Sequence, residues 1–147
     1  MNDYRNWPTP DPEPWAAVWP TAVGSKDCRR LCRQDGLDFY CIHLIEAGRL
    51  RVESLPDYAA DLGPGAMFTI FPQRRHGHWR CDPDDDNCTV YWAKLAGSRI
   101  AEFIAAMGMT PECPAAAAQR PAAVRRGFQQ LMAMAHNHRR RTNLEAV

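Results

Sequence analysis

Between Ala16 and Leu95 every apolar run is short, and each is cut off by a glycine, a proline or an acidic cluster. This feature constrains the fold most. A run of roughly four to eight apolar residues suits a strand and is too short to give a helix its own buried face. The candidate strands are Ala16–Gly24, Phe39–Ile45, the partly alternating Leu50, Val52 and Leu55, Tyr58–Leu62, Met67–Phe71, His78–Cys81 and Cys88–Leu95. The punctuation between them is Ala47-Gly48, Gly63-Pro64-Gly65, Pro72 and the acidic stretch Asp82–Asn87. Glycine and proline at these places favour turns for backbone reasons. Many short strands so spaced predict a mainly β sandwich or barrel.

The periodicity changes after Gly97. Ile100, Phe103, Ile104 and Met107 recur at helical spacing, with Ser98 placed as an N-cap and Gly108 at the stop. The stretch 109–120 reads as a loop. Pro121 then suits a first helical position, and Val124, Phe128, Leu131, Met132 and Ala135 make one apolar stripe through about His138. That stripe fits a dimer face or packing on the barrel. Arg139–Arg141 follow, and Thr142 to Val147 reads as the start of a third helix with Thr142 or Asn143 as cap. A helix beginning there with no room to pack is expected of a longer protein. Three regions result: an arm over 1–15, a barrel over 16–97 and a helical region over 98–147. The arm carries Pro8, Pro10, Pro12 and Pro14, which disfavour helix, and Trp7 and Trp15, which give it something to dock with. It is a candidate lid.

Composition bounds the function classes. The 147 residues carry a formal net charge of +1, far from the strong basic excess of a stand-alone nucleic-acid binder. No apolar stretch reaches the length of a membrane span, and the first residues lack a basic start and apolar core, so a cytoplasmic protein without membrane contact is expected. Six cysteines without a signal segment read as reduced thiols. Cys28 and Cys32 have no second pair at zinc-finger spacing, and idle thiols are preferred to a zinc site.

Three segments resemble the AraC-type regulatory domain: YCIHLIEAGRL, LGPGAMFTIFPQRRHGHW, and VYWAKLAG followed by a helix. Their order and spacing carry the resemblance, which covers about Ala16 to the C-terminus. Ala66 replaces the usual acidic residue, and Lys94-Leu95 the usual His-Phe. The resemblance implies a cupin-like double-stranded β-helix, or jelly-roll, barrel followed by helices. Such a domain binds a small-molecule effector inside the barrel and uses its helices for homodimerisation. DNA would be read only by a C-terminal helix-turn-helix domain that these residues do not include.

Site residues follow from strand parity and from the resemblance together. Alternate residues of a barrel strand face inward, so Cys88, Val90, Trp92 and Lys94 share one face. The resemblance places Trp92 where the family's arabinose-responsive member sets a tryptophan against its sugar, Val90 where that member has a histidine, and His78 where it has a tyrosine. Glu46 or Ala47 falls where it has an arginine. Losing those polar partners argues against arabinose itself, since a sugar needs convergent hydrogen bonds. His43 shares a strand face with Cys41 and Ile45. The candidate ligand-binding set is thus Trp92, His78, His43, Val90 and Trp7. For each barrel residue the alternative is a packed interior, which uses the same residue types.

No catalytic residue, cofactor or metal is expected. None of the nucleotide-binding or nucleophile-elbow glycine motifs occurs. His76 and His78 are two apart on a strand and could reach one ion, with Cys81 or His43 nearby. A metal-dependent cupin enzyme is therefore the competing reading. The acidic stretch Asp82–Asn87 lacks the glycine and the glutamate of a calcium loop and reads as a solvated turn. The arginine groups Arg29, Arg30 and Arg33, Arg74, Arg75 and Arg80, and Arg139–Arg141 are read as solvated surface.

Overall fold

Ten strands and two helices follow one another in the computed structural model, which describes the backbone of residues 3–6, 17–28 and 30–145 and the side chains of 17–28 and 30–137. The strands are β1 (Asp3–Asn6), β2 (Trp19–Asp27), β3 (Leu31–Arg33), β4 (Tyr40–Ala47), β5 (Leu50–Ser54), β6 (Tyr58–Leu62), β7 (Ala66–Ile70), β8 (His76–Arg80), β9 (Thr89–Ala96) and β10 (Ala115–Ala117). The helices are α1 (Ile100–Ala106) and α2 (Pro121–Glu145). One sheet has the order β1-β2-β9-β4-β7-β10 and the other β3-β8-β5-β6, and all recorded pairings are antiparallel. Strands β2 to β9 thus alternate between two four-stranded sets in the jelly-roll order, with β1 and β10 added at the edges. The fold is the cupin-like barrel expected, with two helices at its C-terminal end.

The central strands of the six-stranded sheet serve two cores. Cys41 to Ile45 are all buried in β4, because one face meets the second sheet and the other meets the helices. A nearly continuous apolar run is what such a doubly covered strand requires. Cys41, Ile45, Phe68, Ile70 and Val90 turn inward with Leu50 and Val52 of the facing sheet. Ile42, Leu44, Met67, Ala93 and Leu95 turn outward onto Ile100, Ile104 and Phe128.

The stripe on α2 is accounted for by this outer core. Phe128 and Ala135 are buried, and Val124, Leu131 and Met132 pack beside them. Phe128 stacks on Tyr91 of β9 at 5.9 Å between centroids, and Arg125 Nε donates to Glu46 Oε2 at 2.7 Å. The helix runs without a break through Thr142 to Glu145, so no third helix starts at Thr142. No glycine or proline lies between Phe128 and Glu145, and extending an existing helix costs far less than nucleating a new one.

Local chemistry differs from expectation in a few further places. Ser98 does not cap α1: Arg99 occupies the N-cap with no side-chain cap bond. Gly108 does end α1, at φ +81°, where its N–H donates to Ala105 O and that of Met109 to Ile104 O, a paired bond pattern that satisfies the last carbonyls. Ala115–Ala117, read as loop, pairs with Ala66–Phe68 as an edge strand. β3 had no apolar alternation to reveal it. The acidic stretch folds on itself, with Asp82 Oδ1 accepting from Asp84 N at 2.9 Å and Asp85 Oδ1 from Asn87 N at 3.0 Å.

Gly48 turns the chain from β4 into β5 at φ +77°, against Cys88. A Cβ there would lie 2.6 Å from Cys88 Cα. Gly48→Ala adds a left-handed strain to that clash and is expected to cost about 2–3 kcal/mol, a fall in Tm of roughly 5–10 °C. Thermal unfolding checks this; a melting point unchanged to within about 1 °C would show that the turn yields freely.

Candidate functional site

A cavity of about 600 Å³ lies in the barrel against the six-stranded sheet. Its walls come from β2, the segment 30–39, β4, β7 and β9. They include Lys26, Arg33, Phe39, Cys41, His43, Ile70, Trp92 and Lys94. Strand register explains the grouping. Trp92 lies opposite His43 and Lys94 opposite Cys41 across β9 and β4, while His43 and Cys41 lie opposite Phe68 and Ile70 across β7. On the other side of β9, Ala22 and Gly24 face Lys94 and Trp92, and Lys26 faces Val90. Because strand parity is two, all of these side chains share the inward face. The small residues Ala22 and Gly24 leave room above Lys94 and Trp92.

Two more histidines, His76 and His78, stand behind His43 of this wall. His43, His76 and His78 are each 2% exposed or less. They surround Phe68: His43 stacks on its ring at 4.4 Å between centroids, and His78 meets it edge-on at 5.3 Å. His76 Nε2 and His78 Nδ1 are 2.9 Å apart, and Lys26 Nζ is 3.3 Å from His78 Nε2. An ammonium has only donors, so Lys26 donates to His78 Nε2. His78 must then carry its proton on Nδ1 and donate it to His76 Nε2. His76 is left protonated on Nδ1, which has no hydrogen-bond partner among the described residues. The chain is a one-way relay of donors that tethers β2 to β8 across the barrel.

Burial sets the charge state of each group. It holds His43 and His78 well below the usual histidine range and brings His76 down to about 4, and the nearby Lys26 ammonium reinforces all three. All three histidines are neutral at pH 7. Burial also lowers the pKa of Lys26, against the opposing pull of the Cys41 and Cys28 thiols. Burial pushes the Cys41 thiol up to about 12, despite Lys26 and Lys94. A thiol so raised is no nucleophile at neutral pH.

The sequence-predicted residues fall in three positions. His43 and Trp92 line the cavity. His78 lies behind it, joined through Lys26, and Val90 is fully buried in the core next to Trp92. Trp7 lies outside the described residues. Arg30 and Arg33 are exposed, as the surface reading has it, and they also line the cavity. Lys26 was missed because the first strand was ended at Gly24; it runs to Asp27, and parity then turns Lys26 inward with Ala22 and Gly24. Lys94 was legible as a departure from the family pattern on the inward face of its strand.

The metal arrangements considered from sequence do not assemble. Among the described residues no group of three His, Cys, Asp or Glu side chains is placed to hold an ion. His76 and His78 spend facing nitrogens on each other, the Lys26 ammonium occupies the other side of His78, and Cys81 is exposed. Cys28 is buried while Cys32 is exposed, so the two serve no common site.

A second, larger hollow of about 790 Å³ lies outside the barrel between the six-stranded sheet, α1 and α2; its lining is mostly apolar, with Gln119 and Arg120 as the polar side chains. Among the described residues no helix is long and apolar enough to cross a membrane.

Comparison with known proteins bears on the same fold. The chain is similar to YhaK from Escherichia coli, at a TM-score of 0.57 and 10% identity over 81% of this chain and 52% of that one. It is also similar to the CENP-C cupin domain of Drosophila melanogaster, at a TM-score of 0.43 and 16% identity over 63% of this chain and 68% of that one. The chain spans about half the length of YhaK. These likenesses concern the fold alone. No curated protein matches the sequence. The AraC-like ligand binding domain matches residues 29–147, which include β3 to β10, both helices and most of the cavity wall. The chain therefore belongs to the AraC-like ligand-binding domain family.

Proposed function

We propose that this chain is the effector-sensing domain of an AraC-type transcription regulator and has no enzymatic activity of its own. A small molecule enters the barrel cavity, and the change is passed to a C-terminal helix-turn-helix domain that reads DNA. The observation that carries this reading is the cavity itself. It has room for a small organic molecule, aromatic and aliphatic wall residues, and several polar and charged groups among them, which is the usual make-up of a binding site. His43 and Trp92 are the direct contacts in this reading. His78 holds Lys26 in place, and Val90 shapes the floor beside Trp92. Homodimerisation through the helices belongs to the same proposal; Met134 on α2 is 56% exposed.

The arm is the proposed lid, with Trp7 as its anchor. Its strand β1 pairs with β2 beside Ala22 and Ser25, and both of these line the cavity. Signalling requires that the effector bind two states of the domain with different affinity, and an edge strand that docks over the ligand supplies such a difference.

A thermal-shift screen of small molecules tests the sensing role, because a ligand of the folded state raises Tm. Deleting residues 1–14 is expected to weaken any ligand so found by about tenfold, the loss of roughly 1.4 kcal/mol. Equal affinity with and without the arm would remove the lid. Elemental analysis separates the competing metal-enzyme reading: stoichiometric metal on the purified protein, lost in His76→Ala, would overturn the proposal.

A further inference from the structure

The cavity wall is strongly one-sided in charge. Among its described residues are four cations, Lys26, Arg30, Arg33 and Lys94, and one carboxylate, Asp27. Two of the cations, Lys26 and Lys94, are held by neighbours, one on each side of the Gly24–Trp92 pair. Lys26 is anchored through His78 on the opposite sheet, and Lys94 Nζ lies 3.8 Å from the centre of the Phe39 ring. Both are close enough to Cys41 for their charges to act on its thiol. Among the described residues neither lysine forms an ion pair with a carboxylate. Yet taking a lysine ammonium out of bulk water is unfavourable unless an anion or a set of acceptors meets it. Here the partners are a neutral imidazole and an aromatic face. His78 takes one of the three donors of Lys26, and the side chain lines the cavity. The same wall also carries apolar side chains, Phe39, Ile70 and Trp92.

We infer that the effector is an organic carboxylate with an apolar body, its carboxylate received by the lysines of this wall, Lys26 and Lys94, and its body set against Trp92 and Phe39. This deepens the sensing role proposed above and rests on it. The carboxylate is a counter-charge that the two lysines lack among the described residues, and it accepts the donors of Lys26 that His78 leaves over. A neutral polyol offers no such charge compensation, which accords with the missing sugar-binding polar residues. The same positive wall opposes a metal ion at the histidines.

The test uses matched probes: benzoate against benzamide and octanoate against octanamide, with inorganic phosphate as an anion lacking an apolar body. Binding is read by calorimetry and thermal shift. At least one of the carboxylates is expected to bind, its amide and phosphate at least tenfold more weakly, and its affinity to fall as ionic strength rises. Lys26→Met and Lys94→Met keep the apolar stems and remove the charges. Each is expected to lower carboxylate affinity by about tenfold to a hundredfold, with no loss of Tm in the free Lys94→Met protein. Two independent variants guard against a folding defect in either. An amide bound as well as its carboxylate, or affinity unchanged in both lysine variants, would overturn the anionic class and leave the sensing role standing. Failure of all five probes up to about 10 mM would also overturn the proposed class. A neutral ligand from the wider screen would then still support sensing, and none at all would count against both.

Discussion

Lowering the pH from 6.5 to 4.5 is expected to destabilise the domain steeply, by about 2 kcal/mol from His76 alone. The cause is the cluster around Phe68. The folded-state pKa of His43, His76 and His78 lies below the ordinary value of 6.5 in each case, first because of burial and then because of Lys26. Unfolding returns each imidazole to water, where it gains a proton below about pH 6.5. In that window the unfolded chain holds more protons than the folded one, so stability is lost as pH falls. For His76 the loss continues until its folded value, about 4, is reached. With His43 and His78 acting in the same direction, the total is a large part of the roughly 5–15 kcal/mol that holds a domain folded. Urea unfolding at a series of pH values measures the slope. His76→Gln keeps an acceptor for His78 and cannot titrate, so the slope between pH 6.5 and 4.5 should fall by about one proton. An unchanged slope in that variant would show that His76 is not among the groups responsible. Exposed carboxylates contribute mainly below this window, since their ordinary values lie near 4.

Phe68→Ala is expected to cost about 3–5 kcal/mol, the usual range for deleting a fully buried phenyl ring. Phe68 is completely buried, at the centre of the inner core. Its ring stacks on His43, lies 6.0 Å from His76 and meets His78 edge-on. Removing it leaves a cavity lined partly by imidazoles rather than by aliphatic groups that could collapse into it. At the usual 2–4 °C per kcal/mol for a chain of this size, Tm should fall by roughly 6–20 °C. The same change frees His43, whose ring forms part of the ligand cavity, so probe binding should weaken in any protein that remains folded. A loss of less than about 1 kcal/mol would mean that the inner core repacks.

Much of this was legible in the residues. β6 has the bounds expected, Tyr58–Leu62, because it is bracketed by Pro56 and by Gly63-Pro64-Gly65. The inward face of β9 followed from parity, and Trp92 and Lys94 do line the cavity. β3 was not legible, because Leu31-Cys32-Arg33 has no alternation and is a strand only through pairing with β8. Ala115–Ala117 likewise owes its extended form to the edge of β7, since three alanines by themselves favour a helix.

Turn positions, strand parity and the switch to helical spacing after Gly97 were decided locally, because glycine, proline and hydrophobic period act within a few residues. The length of β2, and with it the inward placement of Lys26, was decided by pairing with β9, a contact between residues more than sixty positions apart. So was the charge of the cavity. The arginines read one by one along the chain look like ordinary solvated surface, and parity alone turns Lys94 inward. Only closure of the barrel brings Lys26, Arg33 and Lys94 to one wall and sets neutral histidines behind Lys26. The physical reason is range. Backbone preferences are settled between neighbours, while the electrostatics of a cavity depend on which distant side chains the fold desolvates together.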